Sequence, residues 1–178
     1  MAHRQLTGVL LVGGASTRFG SPKALAELDG ETLAERAWRV LGEACDDRVA
    51  VGKGDEELPF PVVADGAAER AAIHGVIAGL RSARHDVVVA LPVDCPLVTP
   101  DVLQTLGEAC RDVAITQSGP LPGAYATSAL PVLELHAARG QFALKRVLEE
   151  LDVVRFEVDS ALLVNVNTPD ELQLCRRG

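Results

Sequence analysis

The stretch that decides the fold is Leu11–Lys23, "LVGGASTRFGSPK". It follows the apolar run "LTGVL" (6–10) and leads into "ALAELDG" (24–30). A short apolar run ending on glycines reads as a buried strand feeding a loop. Gly13 and Gly14 carry no Cβ, so backbone there can lie directly against a ligand. Successive amides in such a loop can cradle anionic oxygens. Arg18 and Lys23 place two cations in the same segment. It is not a Walker loop, because Gly20 is followed by Ser21 and Pro22, and G-x-G-x-x-G is absent. Two readings are open at this point: a loop that holds phosphates, or a tight strand-to-helix turn with a surface Arg and Lys.

The pattern repeats along the chain. "DRVAVG" (47–52), "PVVAD" (61–65), "DVVVALPVD" (86–94) and "DVAITQ" (112–117) are short apolar runs like the first. They predict strands buried on both faces of a parallel sheet. Helical segments separate them. "ETLAERAWRVLGEAC" (31–45) spaces Leu33, Ala37, Val40 and Leu41 on one helix face. The second part of 65–81 predicts a helix despite Gly75 and Gly79. "TPDVLQTLGEAC" (99–110) and "TPDELQLC" (168–175) each open with a Thr N-cap followed by Pro at the first helical position. "GPLPGAY" (119–125) predicts a loop over one sheet edge, before two helices in "ALPVLELHAARG" (129–140) and "FALKRVLEEL" (142–151). "VVRFEVD" (153–159) and "LLVNVN" (162–167) predict late strands. The alternation implies an open α/β sheet. With no linker or repeat, residues 1–178 are expected to form a single domain.

Composition narrows the function. Hydrophobic residues make up 48% of the 178 residues, enough for a sizeable core. The formal net charge of −8 and 3% aromatic content exclude the basic field and stacking rings of a nucleic-acid binder. No run approaches a membrane span, and the N-terminus does not read as a signal peptide. A cytoplasmic location is expected. Cys45, Cys95, Cys110 and Cys175 form no C-x-x-C pair, so buried reduced thiols are expected rather than zinc or disulfides.

In open α/β sheets, ligands bind at the carboxyl ends of strands. Besides Gly13, that rule singles out Asp94 in "LPVDCP" (91–96) and Asn165 and Asn167 in "LVNVNTPDEL" (163–172). A carboxylate at a strand end suits Mg²⁺, which takes oxygen ligands and often only one or two carboxylates beside substrate phosphates; alternatively, Asp94 caps the following turn. Asn165 and Asn167 alternate and would share one face of a strand. Asn167 can meet a phosphate or a metal-bound water, or it and Thr168 simply shape a helix start. His74 lies near a strand end and a helix start, and both a ligand contact and a structural role are open. His85 and His136 fall in polar, surface-like settings.

Together, "GVLLVGGASTRFGSPKAL" (8–25), "PVDCPLV" (92–98) and "NVNTPDEL" (165–172) resemble the molybdenum cofactor guanylyltransferase family. The pattern is similar to L-x-G-G-x-S-x-R-M-G-x-x-K, P-x-D-x-P and N-V-N-T-P-E-D-L, in that order. The resemblance implies a Rossmann-like three-layer α/β/α nucleotidyltransferase fold with a mostly parallel central sheet. It implies transfer of GMP from Mg-GTP to molybdenum-molybdopterin, yielding the guanine dinucleotide cofactor and pyrophosphate. By position, it implies that Leu11, Gly13 and Gly14 meet the guanine and ribose, and that Ala15, Ser16, Arg18 and Lys23 lie along the phosphates. It further implies Asp65 near the nucleoside, with Asp94 and Asn167 at the Mg²⁺ ion. Arg18, Lys23 and Asp94 would be the catalytic set. Gly13 itself speaks for guanine, since relatives using CTP tend to carry Ala there. A molybdenum-insertion protein or an apo-molybdoenzyme chaperone is an expected partner. A transferase using CTP or another phosphorylated acceptor, and a non-catalytic nucleotide-binding protein, remain the alternatives.

Overall fold

The computed structural model describes residues 3–13, 19–20, 22–54 and 57–176. Its centre is β1 (Leu6–Leu11), buried along its whole length. Side chains of a strand alternate between faces, and β1 divides its apolar residues accordingly. Leu6 and Leu10 join one core, and Val9 and Leu11 join another on the opposite face. Both faces therefore need helical cover.

Short elements follow: β2 (Glu27–Leu28) and β3 (Glu31–Thr32), which pair with each other, and then α1 (Leu33–Ala44). Thr32 caps α1 by accepting from Glu35 N at 3.2 Å, and the Glu35 carboxylate returns to Thr32 N at 3.0 Å. Such a capping box contributes about 1 kcal/mol. The chain continues through β4 (Asp47–Gly52), β5 (Val62–Ala64), α2 (Ala72–Ser82), β6 (Val87–Pro92), α3 (Pro100–Ala109), β7 (Val113–Thr116) and β8 (Gly119–Ala126). It ends with α4 (Leu130–Ala138), the one-turn α5 (Leu144–Val147), β9 (Val153–Phe156) and α6 (Pro169–Cys175). The sheet has seven strands in the order β5-β4-β1-β6-β8-β7-β9, and β8 runs against both its neighbours. Helices α1 and α3 cover one face, and α2 with α4 covers the other. This is the expected three-layer, mostly parallel α/β architecture.

Two elements differ from expectation. "GPLPGAY" is not an edge loop but the start of β8, inside the sheet. Its prolines are tolerated because the β7–β8 register jumps from Ile115↔Gly123 to Thr116↔Gly119, which leaves Pro120–Pro122 outside the ladder. "LLVNVN" is not a strand. Asp159 accepts from Ala161 N at 3.0 Å and starts a 3₁₀ turn at Ser160–Leu163. The chain then crosses the carboxyl ends of the sheet, where Val166 N donates to Asp94 O at 2.8 Å. His136 is also not at the surface. It is 4% exposed, with Nε2 2.9 Å from Glu150 Oε1. All four cysteines are free; Cys95 and Cys110 are buried, and Cys45 and Cys175 are partly so. Among the described residues, no helix is long and apolar enough to cross a membrane.

The glycines that weaken α2 as an isolated helix have a packing role. A Cβ on Gly79 would fall 2.7 Å from both γ-methyls of Val9, and one on Gly75 would fall 2.7 Å from Leu11 Cδ2. Spaced four apart, they share a face and let α2 lie directly on β1. Val9 is β-branched and cannot rotate away. Gly79→Val is therefore expected to destabilise the protein by about 2–3 kcal/mol through overpacking, although valine is the better helix former; urea denaturation measures it.

Candidate functional site

The ends of β1, β4, β5 and β6 surround a cavity of about 400 Å³. The ladders continue one step past the strands. Val12 N donates to Val51 O at 3.0 Å, Val93 N to Leu11 O at 3.1 Å, and Asp65 N to Gly52 O at 2.8 Å. The strand ends therefore finish level, and the residues after them share one rim.

Of the residues singled out from sequence, Leu11, Gly13, Lys23, Asp65, Asp94, Asn165 and Asn167 line this cavity. Gly14, Ala15, Ser16 and Arg18 lie outside the described residues. Gly13 has a local reason to be glycine: a Cβ there would stand 3.2 Å from Gly52 Cα, so the neighbouring backbone would have to give by a few tenths of an ångström. The contact is between the ends of neighbouring strands, so it favours glycine independently of the base.

Lys23 begins a 3₁₀ turn, Lys23–Leu25, with Pro22 just before it at φ −55°. Leu25 N donates to Pro22 O at 3.0 Å, and Ala26 N to Lys23 O at 3.1 Å. Pro22 thus leads into the turn that carries Lys23, and Ser21 lies outside the described residues. Lys23 Nζ lies 3.1 Å from Asn167 Oδ1 and 3.4 Å from Asp94 Oδ2. It joins residues 71 and 144 positions away, and its side chain is only 14% exposed. Asp94 and Asn167 thereby aim one oxygen each at a single cationic centre. One carboxylate and one amide oxygen are hard donors that suit Mg²⁺ completed by phosphate oxygens and water. Among the described residues, no group of three or more His, Cys, Asp or Glu forms a closed metal cage.

Asn167 is also part of a helix start. Thr168 Oγ1 accepts from Glu171 N at 3.2 Å, and Glu171 Oε2 accepts from Thr168 N at 3.1 Å and Asn167 N at 2.6 Å. These bonds fix the Asn167 backbone and leave its side chain to reach Lys23. Asn165 and Asn167 flank fully buried Val166 and are both exposed toward the cavity side, so their shared orientation survives without a strand. Asn165 Oδ1 accepts from Cys95 Sγ at 3.0 Å.

Sequence reading passed over Lys53 and Arg70, which also line the cavity. Lys53 was detectable: it follows the apolar "RVAVG" at a strand end, as Asp94 follows "VVALPV". Its Nζ bonds to Asp65 Oδ1 at 3.0 Å. Among the described residues, the wall carries Lys23, Lys53 and Arg70 against Asp65 and Asp94, an excess of one positive charge in a chain of net charge −8. His74 does not line the cavity. Its ring packs at 5.0 Å against Phe142, and its Nε2 is 3.9 Å from Glu69 Oε2.

Cys95 follows Asp94 directly and is 3% exposed. Burial, reinforced by the Asp94 charge, pushes its thiol far above the usual range. Iodoacetamide at pH 8 should therefore label partly exposed Cys175 in the folded protein and spare Cys95 until urea unfolds the chain. Peptide mass spectrometry reads both sites.

Residues 8–156 match the family model described as MobA-like NTP transferase domain. A probable molybdenum cofactor guanylyltransferase of Chloroflexus aggregans is 30% identical, covering 97% of this chain and 94% of its own. A molybdenum cofactor guanylyltransferase of Desulfosudis oleivorans is 32% identical, covering 94% and 93%. The crystal structure of molybdopterin-guanine dinucleotide biosynthesis protein A from Archaeoglobus fulgidus superposes with a TM-score of 0.81 at 26% identity, covering 96% of this chain and 97% of that one.

Proposed function

Because the chain belongs to the MobA-like NTP transferase domain family of nucleotidyltransferases, we propose that it is a molybdenum cofactor guanylyltransferase. It transfers GMP from Mg-GTP to molybdenum-molybdopterin, and the products are the guanine dinucleotide cofactor and pyrophosphate. The observation that carries this reading is the convergence of Asp94, Asn167 and Lys23 at the rim of one cavity. The names of the Chloroflexus and Desulfosudis relatives support the choice of acceptor.

In this proposal, GTP enters with its nucleoside along Leu11, Gly13, Gly14 and Asp65. Its phosphates run along Ala15, Ser16 and Arg18 toward Lys23. The terminal phosphate oxygen of molybdopterin attacks the α-phosphorus in line. The new P–O bond forms as the bond to the β-phosphate oxygen breaks, and pyrophosphate departs with that electron pair. A phosphate monoester is largely ionised near neutral pH, its second pKa being about 6, so no general base is required. The work left for the protein is alignment and charge neutralisation. Asp94 and Asn167 would hold Mg²⁺, whose charge screens the phosphate oxygens. Lys23, exchanging Asp94 and Asn167 for the phosphates, stabilises charge on the leaving group. Arg18 adds a second positive charge.

The 1–178 chain works in this scheme as one nucleotidyltransferase domain in the cytoplasm. It passes the product to a molybdenum-insertion protein or an apo-molybdoenzyme chaperone. The Gly13–Gly52 contact favours keeping a second reading in view, use of CTP, because it gives Gly13 a role unrelated to guanine. Calorimetric titration with Mg-GTP and Mg-CTP separates the two, and GTP is expected to bind tighter. Pyrophosphate release on mixing Mg-GTP with molybdenum-molybdopterin tests transfer itself, and its absence would overturn this pairing of nucleotide and acceptor.

Asp94→Ala is expected to abolish pyrophosphate release while the circular dichroism spectrum stays native; near-normal turnover would remove Asp94 from the metal site. Lys23→Ala is expected to raise KM for GTP and lower kcat by roughly 10²-fold, the scale of losing one electrostatic contact made in the transition state. Steady-state kinetics would reject the phosphate role if both constants were unchanged.

A further inference from the structure

The loop between β5 and α2, residues 65–71, forms one wall of the cavity through Asp65, Arg70 and Ala71. It contains no helix or strand. Gly66 turns it with φ +72°. Such a segment is loose unless its polar groups are tied down.

Lys53 supplies the tie. Its Nζ donates to Asp65 Oδ1 at 3.0 Å, Ala67 O at 2.9 Å and Glu69 O at 2.8 Å. These three acceptors span five residues of one loop. The side chain is 14% exposed, and the Asp65 side chain 8%. Asp65 Oδ1 also accepts from Ala67 N at 3.0 Å. One cation thus holds the carboxylate in place and closes the turn around it. The anchor is rigid, because Lys53 follows directly on β4, where Gly52 is wedged between Gly13 on one side and the Asp65 amide on the other.

We propose that Lys53 is a positioning residue, which sets nucleotide affinity by holding the 65–70 loop and the Asp65 carboxylate in their binding geometry rather than by contacting the nucleotide. The proposal deepens the nucleotide-binding reading of the cavity and rests on it. Asp65 reaches a charged cavity already neutralised, so a polyanionic nucleotide meets no net repulsion there. Both recorded bonds of the Asp65 side chain fall on Oδ1. Oδ2 is thereby the oxygen left to accept a donor from the nucleoside.

Hydrogen exchange on the nucleotide-free protein separates positioning from contact. Lys53→Met keeps the length of the stem and removes the donors. It is expected to speed exchange of the 65–70 amides, Ala67 above all, by at least roughly tenfold. Amides of β1 and β6 should be unaffected. The Kd for Mg-GTP is expected to rise by a similar factor, and Lys53→Arg to recover most of both effects. Unchanged exchange of 65–70 in Lys53→Met overturns the proposal, whether or not affinity falls, because a residue that only touched the nucleotide would leave the free loop as it was. Faster loop exchange with unaltered Kd overturns it also. If neither Mg-GTP nor Mg-CTP binds the unmodified protein, the functional reading fails and the claim on affinity fails with it, while exchange in the free protein still reports separately whether Lys53 holds the loop. Should Lys53→Met unfold the sheet, Lys53→Gln provides the same exchange readout with a polar side chain that is shorter and uncharged, and undisturbed 65–70 amides there count against the tie.

Discussion

The candidate site hangs from the carboxyl end of β1. The strand is paired in parallel on both sides, with β4 and β6, and its side chains are buried on both faces. It has no free edge and no free face. Its small residues determine how closely the neighbours approach: Gly8 lies beneath Leu41 of α1, and Val9 lies against Gly79 of α2. The same tightness persists to the last step, where a methyl group on Gly13 would stand 3.2 Å from Gly52 Cα. Since β1, β4 and β6 end level, Gly13, Lys53 and Asp94 stand on one rim although they are far apart in sequence. Close packing transmits small shifts rather than absorbing them, so the cavity is only as well formed as the seating of this strand.

Four of the charges around that cavity form two pairs. Asp94 sits with Lys23, and Asp65 with Lys53. Both lysines have most of their side chain covered, which would make either ammonium costly without a paired carboxylate. The two pairs differ in consequence. Lys23 bridges side-chain oxygens from two separate loops, so a multivalent cation and phosphates can compete for its partners. Lys53 instead holds two backbone oxygens and one carboxylate oxygen of a single loop. The net charge of −8 does not prevent polyanion binding, because exposed charges more than about 8 Å away are largely screened at physiological salt. The few charges on the rim decide.

Much of this was legible in the sequence, because strand-end residues announce themselves by what precedes them. Leu11–Gly13, Asp94 and Asn165–Asn167 were found in that way, and they meet at one cavity. What escaped depended on contacts between distant segments. The prolines of β8 hid a central strand because their place outside the ladder is set by a register jump against β7. Alternation in "LLVNVN" was read correctly as a shared face and incorrectly as a strand, since Asp159 turns the chain first and Val166 then pairs with the Asp94 carbonyl. Gly75 and Gly79 counted against a helix by propensity, yet their absent side chains are what bring α2 onto β1. Lys53 obeyed the strand-end rule but carried no motif around it, and only the folded loop shows where its ammonium goes.

For the last motif, the two readings open at the outset turn out not to compete. Thr168 and Glu171 complete a capping box, and Glu171 also takes the Asn167 amide, so the backbone of "NVNTPDEL" is committed to starting α6. Val166 is committed to the core. With backbone and apolar side chain both used for folding, only the Asn165 and Asn167 side chains remain for the cavity, and their direction is fixed by the same bonds. A capping motif is therefore an economical way to aim a polar side chain: the helix start orders its own first turn, and the residue just ahead of it inherits that order. Lys23 follows the same logic, launched by a 3₁₀ turn that begins at a proline. In both cases, a local rule of chain geometry places a polar group that reaches across the chain, Lys23 to Asp94 and Asn167 over 71 and 144 positions.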